Sequence, residues 1–407
     1  MKHLLLSIFT FSVCFGLAHA QDSEFQYRRS SIYSILVNHT DQQFANEIKQ
    51  AFLQIPVPDK FNDHDLSVKV VDMNTKLSDA GSKNENPIIT DFLRRNKVAS
   101  RLVGRWFNRD NFTGQCDMEL VKQRGLYNAT EFDKQIAARS ARGTAMLQDA
   151  GEELIGNTFV IVNDIRYIDK NKGAKIAAGV LSVLGQVAAA YTGNSSFGDM
   201  GDNLADITET LKGFSVKINT FLYKLEWNDE LATTFYQEQY ASAPDSLKRA
   251  HFETARSQYK LSYVGKVESR GGTTSFLGIK EDEPIIMVRK ACQRAIDENV
   301  VELQHSHEEF RTKTPLLSAS PITAYIGMKE GVTTKSKFEV LEVVELEDGK
   351  HKYDRVGIIE PIDNLIWDNR FMAAEEGAEG ANLGYTTFRK VSGKDFAKGM
   401  LIREITK

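Results

Sequence analysis

Two polar residues, Asn163 and Asp164, interrupt an apolar stretch in the segment AGEELIGNTFVIVNDIRYID, residues 150–169. A polar pair at the carboxyl end of a strand is a common place for catalysis in α/β proteins. Here the apolar residues resume after the pair and the alternation of a strand continues unbroken to Ile168. Asp164 and Arg166 share one face of that strand. The pattern therefore predicts a structural role for the pair, with Asp164 and Arg166 forming a solvated ion pair.

The segment LQHSHEEF places His305 and His307 beside Glu308 and Glu309, which suggests a metal site. Helical ligands of one metal ion converge at spacings of three or four residues, whereas residues two apart point in different directions. His307 also falls on the apolar stripe of a predicted helix. We therefore expect a packed or interface histidine, and we assign no metal ligand.

A glycine-rich segment near the C-terminus, AEEGAEGANLGY, contains Gly377, Gly380 and Gly384. A phosphate-binding loop needs a preceding strand, a Lys-Ser/Thr end or G-x-G-x-x-G spacing, and this segment has none of them. Its three carboxylates would repel a phosphate, and the ordered D-x-D-x-D spacing of a calcium loop is missing. The segment therefore predicts a mobile, acidic hairpin loop.

The G-x-S-x-G elbow of serine hydrolases is missing from the sequence. We therefore assign no catalytic residue and no cofactor. The paired carboxylates of a glycosidase remain an open alternative, because such pairs converge only in three dimensions. Trp106-Phe107, Trp227 and Trp367 fit either contact points for carbohydrate or protein, or core positions.

The N-terminal segment MKHLLLSIFTFSVCFGLAHA has the layout of a secretory signal peptide, with cleavage expected after Ala20. Cys14 lacks the small preceding residue of a lipobox, so we expect no lipid anchor. The formal net charge of −4 is not basic enough to indicate a nucleic-acid partner. Cys116 and Cys292 could form one disulfide, but Cys292 lies on an apolar stripe, which favours a buried free thiol.

Strand and helix patterns alternate over residues 21–312 and predict an α/β (α+β) sandwich-type domain. Asn86-Pro87 opens a helix whose apolar stripe continues to Trp106. Two long alternating strands, near Thr158 and near Phe214, each follow a glycine stop. This weak internal repeat is consistent with two strands that pair in one sheet.

Residues 313–407 have a different sequence pattern, with short alternating strands separated by Gly, Asp and Lys turns. This pattern predicts a small, separate, all-β domain that resembles a barrel.

A helical insertion rich in small residues is expected over residues 171–212. Its apolar run, 176–191, is a little short for a membrane span. It fits either a buried crossover helix or a surface for self-association or peripheral membrane contact. The candidate interaction residues on this run are Ile176, Val180, Leu181, Leu184 and Val187.

Three segments, AMLQDAGEELIGNTFVIVNDI, VRKACQRAIDENVVELQ and IGMKEGVTTKSKFEVLE, carry a resemblance to a known group of proteins. They resemble bacterial envelope proteins related to the curli-secretion lipoprotein and the flagellar assembly proteins of the periplasm, and the third is similar to small β-barrel domains. The chain lacks the lipidated cysteine of the secretion lipoproteins. The resemblance implies an α/β domain that assembles with itself or with envelope partners, and it carries over no catalytic residue.

Together these patterns lead us to expect an exported, non-enzymatic cell-envelope protein, periplasmic or associated with the outer membrane, that scaffolds or binds envelope proteins or itself. The alternative is a secreted hydrolase of glycans or peptides with carboxylates that the sequence does not place. A third hypothesis is a small-ligand cleft at the domain junction near Lys313. Converging carboxylates in a deep groove would favour the hydrolase, whereas a flat apolar patch would favour the scaffold.

Overall fold

The first domain is a mixed α/β sheet with helices on both faces, and the second is a closed six-stranded antiparallel β-barrel. The predicted fold class is therefore confirmed. The computed structural model describes residues 30–73, 86–128, 151–168, 214–272, 284–345 and 351–406. The predicted signal peptide and the predicted helical insertion lie outside the described residues.

The sheet of the first domain has the strand order β2-β1-β4-β5-β6, with β3 also pairing with β1. Strands β2, β3 and β4 run parallel to β1, whereas β5 is antiparallel to both β4 and β6. The two long strands of the internal repeat are β4 and β5, and they are neighbours as predicted. The strands are β1 (Ser30–His39), β2 (Phe61–Asp63), β3 (Val70–Met73), β4 (Thr158–Tyr167), β5 (Ser215–Leu225) and β6 (Leu261–Gly272).

Helices cover both faces of this sheet, because its central strands carry apolar side chains on both sides. One core contains β1, β4 and β5 residues packed against α1 and α7, and the other packs the opposite face against α2, α3 and α6. The helices of the described residues are α1 (Ala45–Leu53), α2 (Pro87–Arg95), α3 (Val98–Trp106), α4 (Glu119–Asn128), α5 (Asp229–Thr234), α6 (Ser246–Ala255) and α7 (Pro284–Ser306).

The start of α2 shows how the sequence sets a helix boundary. The Asn86 side chain accepts hydrogen bonds from the backbone N–H groups of Ile88 and Ile89, and proline occupies the first helical position. The apolar stripe predicted to continue to Trp106 is divided between two helices, because Lys97 has a left-handed backbone with φ 52°. This break lets α3 leave in a new direction and pack Trp106 into the core.

Glycine allows the long helix α7 to approach β6 closely. A Cβ atom at Gly271 would lie 2.0 Å from the carbonyl oxygen of Ala291 on α7, so no larger residue fits there.

The two cysteines lie on opposite faces of the sheet. Cys292, on α7, packs in the core on one face, whereas Cys116 belongs to the core on the other face. Both thiols are buried and free, and burial raises the pKa of Cys292 to about 12.

The C-terminal domain closes a barrel in the order β10-β11-β8-β7-β12-β9, in which all strand pairs are antiparallel. Inward-facing residues such as Leu316, Phe338 and Ile359 fill its own hydrophobic core. The strands are β7 (Thr314–Ala319), β8 (Ile322–Ala324), β9 (Phe338–Glu345), β10 (His351–Pro361), β11 (Thr386–Gly393) and β12 (Leu401–Glu404).

Candidate functional site

The carboxyl ends of β1 and β4 are the first place to look for a site. The chain leaves β1 towards β2 and β3 on one side, and β4 lies on the other side. Such a switch point is where open α/β sheets usually bind ligands. His39, the last residue of β1, and Asp164 on β4 meet there.

His39 and Asp164 form a buried pair in which Nε2 of His39 lies 2.5 Å from Oδ1 of Asp164. Nε of Arg166 lies 3.4 Å from the same carboxylate. The predicted partnership of Asp164 and Arg166 therefore exists, but its predicted solvation is wrong because Asp164 is only 3 % exposed. Strand β4 continues to Tyr167, as the unbroken alternation predicted.

Asn163 belongs to a second closed network beside this pair. Its amide donates to the Ser34 hydroxyl, and its carbonyl oxygen accepts from the Thr220 hydroxyl at 2.9 Å. Asn299 on α7 in turn donates to Thr220 at 2.8 Å. Gln42 covers the end of β4 by bonding to its backbone at two places. These polar groups satisfy one another, which favours a structural role over catalysis.

His305 lies on α7 and His307 follows the helix. Their side chains point in different directions, as predicted from their spacing. His305 pairs with Glu404 of the barrel at 2.9 Å, and this hydrogen bond raises the pKa of His305. The His307 ring packs against Gly265, where an added Cβ would lie 2.2 Å from Nε2. Among the described residues, no group of three His, Cys, Asp or Glu side chains could hold a metal ion.

The acidic loop after Asp368 is tied to the first domain, which corrects the prediction of a mobile hairpin. Glu376 forms ion pairs with Lys290 and Arg294 on α7, the second at 2.9 Å. Arg294 also donates to the carbonyl oxygen of Phe371 at 2.7 Å. The Lys290 side chain is only 6 % exposed, so the loop neutralises a nearly buried cation.

A small cavity of about 40 Å³ lies at the domain junction, with Lys60, His305 and Glu404 in its lining. Ligand sites for small molecules usually have volumes of roughly 300–1,000 Å³, so this cavity has room only for water. The hypothesis of a small-ligand cleft at the junction therefore gains no support.

Asp297 on α7 is a buried carboxyl group, and burial raises its pKa to about 7.

The aromatic positions divide between core and surface. Trp106 and Phe107 are fully buried, so they are core residues. Trp227 packs at the edge of the same core. The candidate interaction residues Ile176, Val180, Leu181, Leu184 and Val187 lie outside the described residues, so their role as a contact surface stays a prediction. No helix in the part of the chain that the structure describes has the length and apolar character of a membrane span.

Five large apolar side chains are exposed on segments of the barrel that hydrogen bonds join, and we call them the rim patch. Its members are between 36 % and 44 % exposed, and they are Tyr325, Met328, Ile362, Leu365 and Tyr385.

Trp367 connects the segments that carry the rim patch. Its backbone N–H donates to the Thr386 hydroxyl at 3.0 Å, and its carbonyl oxygen accepts from the N–H of Met328 at 2.9 Å. Ile362 donates its backbone N–H to Thr387 on β11. These bonds fix the three segments relative to one another. Sequence reasoning missed the patch because its members come from three separate segments.

A cavity of about 560 Å³ lies between α3, α6 and the loop after β2, and we call it the arginine cleft. Four arginines are among the residues that line it, and they are Arg101, Arg105, Arg109 and Arg256. Asp65 is the acidic residue of the lining, and it pairs with Lys69 at 3.3 Å.

The arginines of the cleft have few anionic partners. Glu253 is shared between Arg109, at 3.4 Å, and Arg256, at 2.7 Å. Arg101 donates to the carbonyl oxygen of Leu66, and Arg105 donates to the amide oxygen of Asn108. Within the described ranges, neither Arg101 nor Arg105 forms an ion pair with a carboxylate. The cleft therefore has an excess of positive charge.

Burial makes one of these charges costly. The Arg109 side chain is 1 % exposed and stacks on the Phe252 ring, with its guanidinium carbon 4.0 Å from the ring centroid. Burial lowers the pKa of Arg109, because the charged form is desolvated. The spacing of four residues from Arg101 to Arg105 to Arg109 is a local sequence signal for this cleft, whereas the net charge of −4 of the whole chain does not indicate it.

Comparison with known proteins adds no relative: no protein-family model matches this chain, and no curated protein sequence matches it either.

Proposed function

We propose that this chain is an exported, non-enzymatic cell-envelope protein that scaffolds or binds other envelope proteins through the rim patch. The observation that supports this most is the exposure of five large apolar side chains on barrel segments that hydrogen bonds hold together. Exposed apolar groups that adjoin one another on a folded surface are typical of protein-binding sites.

The sheet edge supports the non-enzymatic part of this proposal. Asp164 is committed to His39 and Arg166, and Asn163 is committed to Ser34 and Thr220. A general base needs a free lone pair within reach of a substrate proton. Among the residues that the structure describes, no specific observation favours the alternative of a secreted hydrolase.

Site-specific photo-crosslinking in cells tests the proposal. A crosslinker at Tyr325 or Leu365 should give adducts with envelope proteins or with a second copy of the chain. Val391 on β11 is 48 % exposed and lies outside the rim patch, so it is a matched control. Equal amounts of adduct from a crosslinker at Val391 would contradict the rim patch as a specific binding surface.

The export part of the proposal has its own test. N-terminal sequencing of the exported product should begin at Gln21.

Charge substitution gives an independent measurement. The double variant Tyr325→Lys/Leu365→Lys should lose the adducts formed from a crosslinker at Tyr385, because two charges would enter an apolar contact. Its melting temperature should stay close to that of the parent, since both side chains are already partly in water. Retained adducts in a folded variant would exclude the rim patch as the binding surface.

A further inference from the structure

The arginine cleft combines excess charge with the volume of a ligand site, and it is separate from the rim patch. Its volume of about 560 Å³ falls within the range typical of small-molecule sites, roughly 300–1,000 Å³. Its cations come from different parts of the chain, with Arg101 and Arg105 on α3 and Arg256 just after α6. A ligand in the cleft would therefore be contacted from two sides.

The number and type of the cations indicate the charge of the occupant. A guanidinium group presents a planar pair of donors that matches carboxylate or phosphate oxygens. One such fork is enough for one carboxylate. Four guanidinium groups that share few carboxylates instead suit an anion with several oxygens and at least two charges. A phosphoryl group has this combination, because its oxygens can accept from more than one arginine.

We propose that the arginine cleft binds a phosphoryl-bearing ligand that carries at least two negative charges. Arg101 and Arg105 bind the phosphoryl oxygens from α3, and Arg256 approaches from the turn just after α6. Arg109, beneath them on the Phe252 ring, contributes a fixed positive charge. The ligand is a soluble organic phosphate or the exposed headgroup of an anionic lipid, since both present the same chemistry.

A turn next to the cleft distinguishes these two sources. Asn111 lines the cleft, and the next residue, Phe112, is 84 % exposed. The turn is fixed because Asp110 accepts hydrogen bonds from the backbone N–H groups of Phe112 and Thr113, and Arg249 donates to the carbonyl oxygen of Phe112. A lipid headgroup in the cleft would bring Phe112 to the bilayer surface, whereas a soluble phosphate would leave it in water.

Binding is measured with two probes on the purified full chain at low ionic strength. Calorimetry with inorganic pyrophosphate tests the soluble source. Flotation with phosphatidylglycerol vesicles, compared with phosphatidylcholine vesicles, tests the lipid source. Binding of at least one anionic probe is expected, and it should weaken as salt is added. The proposal would be overturned if the chain bound neither pyrophosphate nor phosphatidylglycerol vesicles. It would also be overturned if citrate, a carboxylate anion measured for comparison, bound as tightly as pyrophosphate.

The double variant Arg101→Gln/Arg105→Gln should weaken binding about 100-fold, because each lost charge-assisted contact weakens it about tenfold. The control is Arg94→Gln/Arg95→Gln, which removes the same charge from α2. Both of these side chains are at least 70 % exposed and pair with Asp91. Equal losses in the two variants would show non-specific attraction and would overturn the proposal.

A neutral block of the cleft separates shape from charge. Gly104 lines the cleft, and an added Cβ would meet only Arg109 and Phe252, at ordinary contact distances of 3.8 Å and 3.9 Å. Gly104→Ala should therefore weaken binding only slightly, whereas Gly104→Leu should place a larger apolar side chain among the arginines and weaken binding strongly. Melting curves establish that both variants are folded. Full binding by folded Gly104→Leu would exclude the cleft as the site.

Phe112→Ala assigns the source. Loss of flotation with phosphatidylglycerol vesicles, with pyrophosphate binding retained, would support the proposal with a lipid headgroup as the ligand. If the parent protein binds no vesicles and Phe112→Ala binds pyrophosphate as the parent does, the result would support the proposal with a soluble phosphate as the ligand. If folded Phe112→Ala lost both pyrophosphate binding and vesicle binding, the placement of Phe112 outside the binding site would be overturned.

Discussion

The edge of the sheet and the arginine cleft are both rich in polar side chains, but they differ in how these side chains are paired. At the edge, Asp164 is shared by His39 and Arg166, and Asn163 bonds to two hydroxyl groups. In the cleft, Arg101 and Arg105 each donate to a neutral oxygen.

This difference indicates what each region does. A buried polar group that loses its partner leaves an unsatisfied charge or hydrogen bond, so a closed network holds the strands in place. An exposed cation without an anion costs little and can accept a ligand. The expected position for an α/β active site is thus the structural region of this molecule, and the less conspicuous surface between α3 and α6 has the properties of a binding site.

The largest effect is expected for Asp164→Ala. This substitution would leave Arg166 and the buried His39 without their carboxylate, which typically costs about 3–5 kcal/mol when one partner of a buried pair is removed. Urea unfolding followed by circular dichroism gives the free energy. Asp354→Ala on β10 is the control, because Asp354 pairs with Lys352 on the surface. A loss below about 1 kcal/mol for Asp164→Ala would mean that the network is not structural.

The contrast between these regions also marks the limit of sequence reasoning. Strand β4 was predictable because its alternation is local, and the all-β character of the barrel followed from its turns. The burial of Asp164 was not predictable, because its partner His39 lies on another strand. The break at Lys97 was not predictable either, since its left-handed backbone with φ 52° divides an apolar stripe that continues to Trp106.

The binding surfaces show the same limit. The spacing of four residues between Arg101 and Arg105 was a local signal that could have revealed half of the arginine cleft. Arg256 joins them only because α6 packs beside α3 on one face of the sheet. The rim patch depends on the closure of the barrel, which brings Tyr325 next to the segment that contains Tyr385.

A second test asks whether the ion pairs at the domain junction stabilise the fold as the polar network at the sheet edge does. Glu376→Gln should destabilise the chain by about 3 kcal/mol, because Lys290 would keep a nearly buried charge without its carboxylate. Glu379→Gln in the same loop is the matched control and should change stability by less than about 0.5 kcal/mol, because Glu379 is exposed. Equal effects would show that the loop does not join the domains.

A third, smaller effect concerns pH. The raised pKa of Asp297, about 7 against an ordinary 3.8, means that the folded state binds a proton that the unfolded state releases. Stability from this group is present at low pH and is lost as pH rises to about 7, by roughly 2 kcal/mol between about pH 5.5 and 7.5. Lys329 and Arg294 oppose this shift, whereas burial, Glu330 and Asp59 favour it.

Asp297→Asn mimics the protonated carboxyl at every pH. The free energy of unfolding of this variant should therefore vary less between pH 5.5 and 7.5 than that of the parent, by about the same roughly 2 kcal/mol. Parallel pH profiles for the two proteins would contradict the shift in pKa. His305 contributes with the same sign, because its pairing with Glu404 also raises its pKa, and it is unchanged in both proteins.

The smallest effect is expected in the arginine cleft itself. Arg105 is exposed, and among the described residues its side chain donates to the amide oxygen of Asn108 at 3.3 Å and to no carboxylate. Arg105→Gln should therefore change the free energy of unfolding by no more than about 0.5 kcal/mol, as is usual for surface positions. The sign should be neutral or slightly stabilising, because one positive charge leaves a group of like charges. Urea unfolding measured beside Asp164→Ala decides the comparison: a loss of several kcal/mol for Arg105→Gln would make the cleft a structural network like the sheet edge.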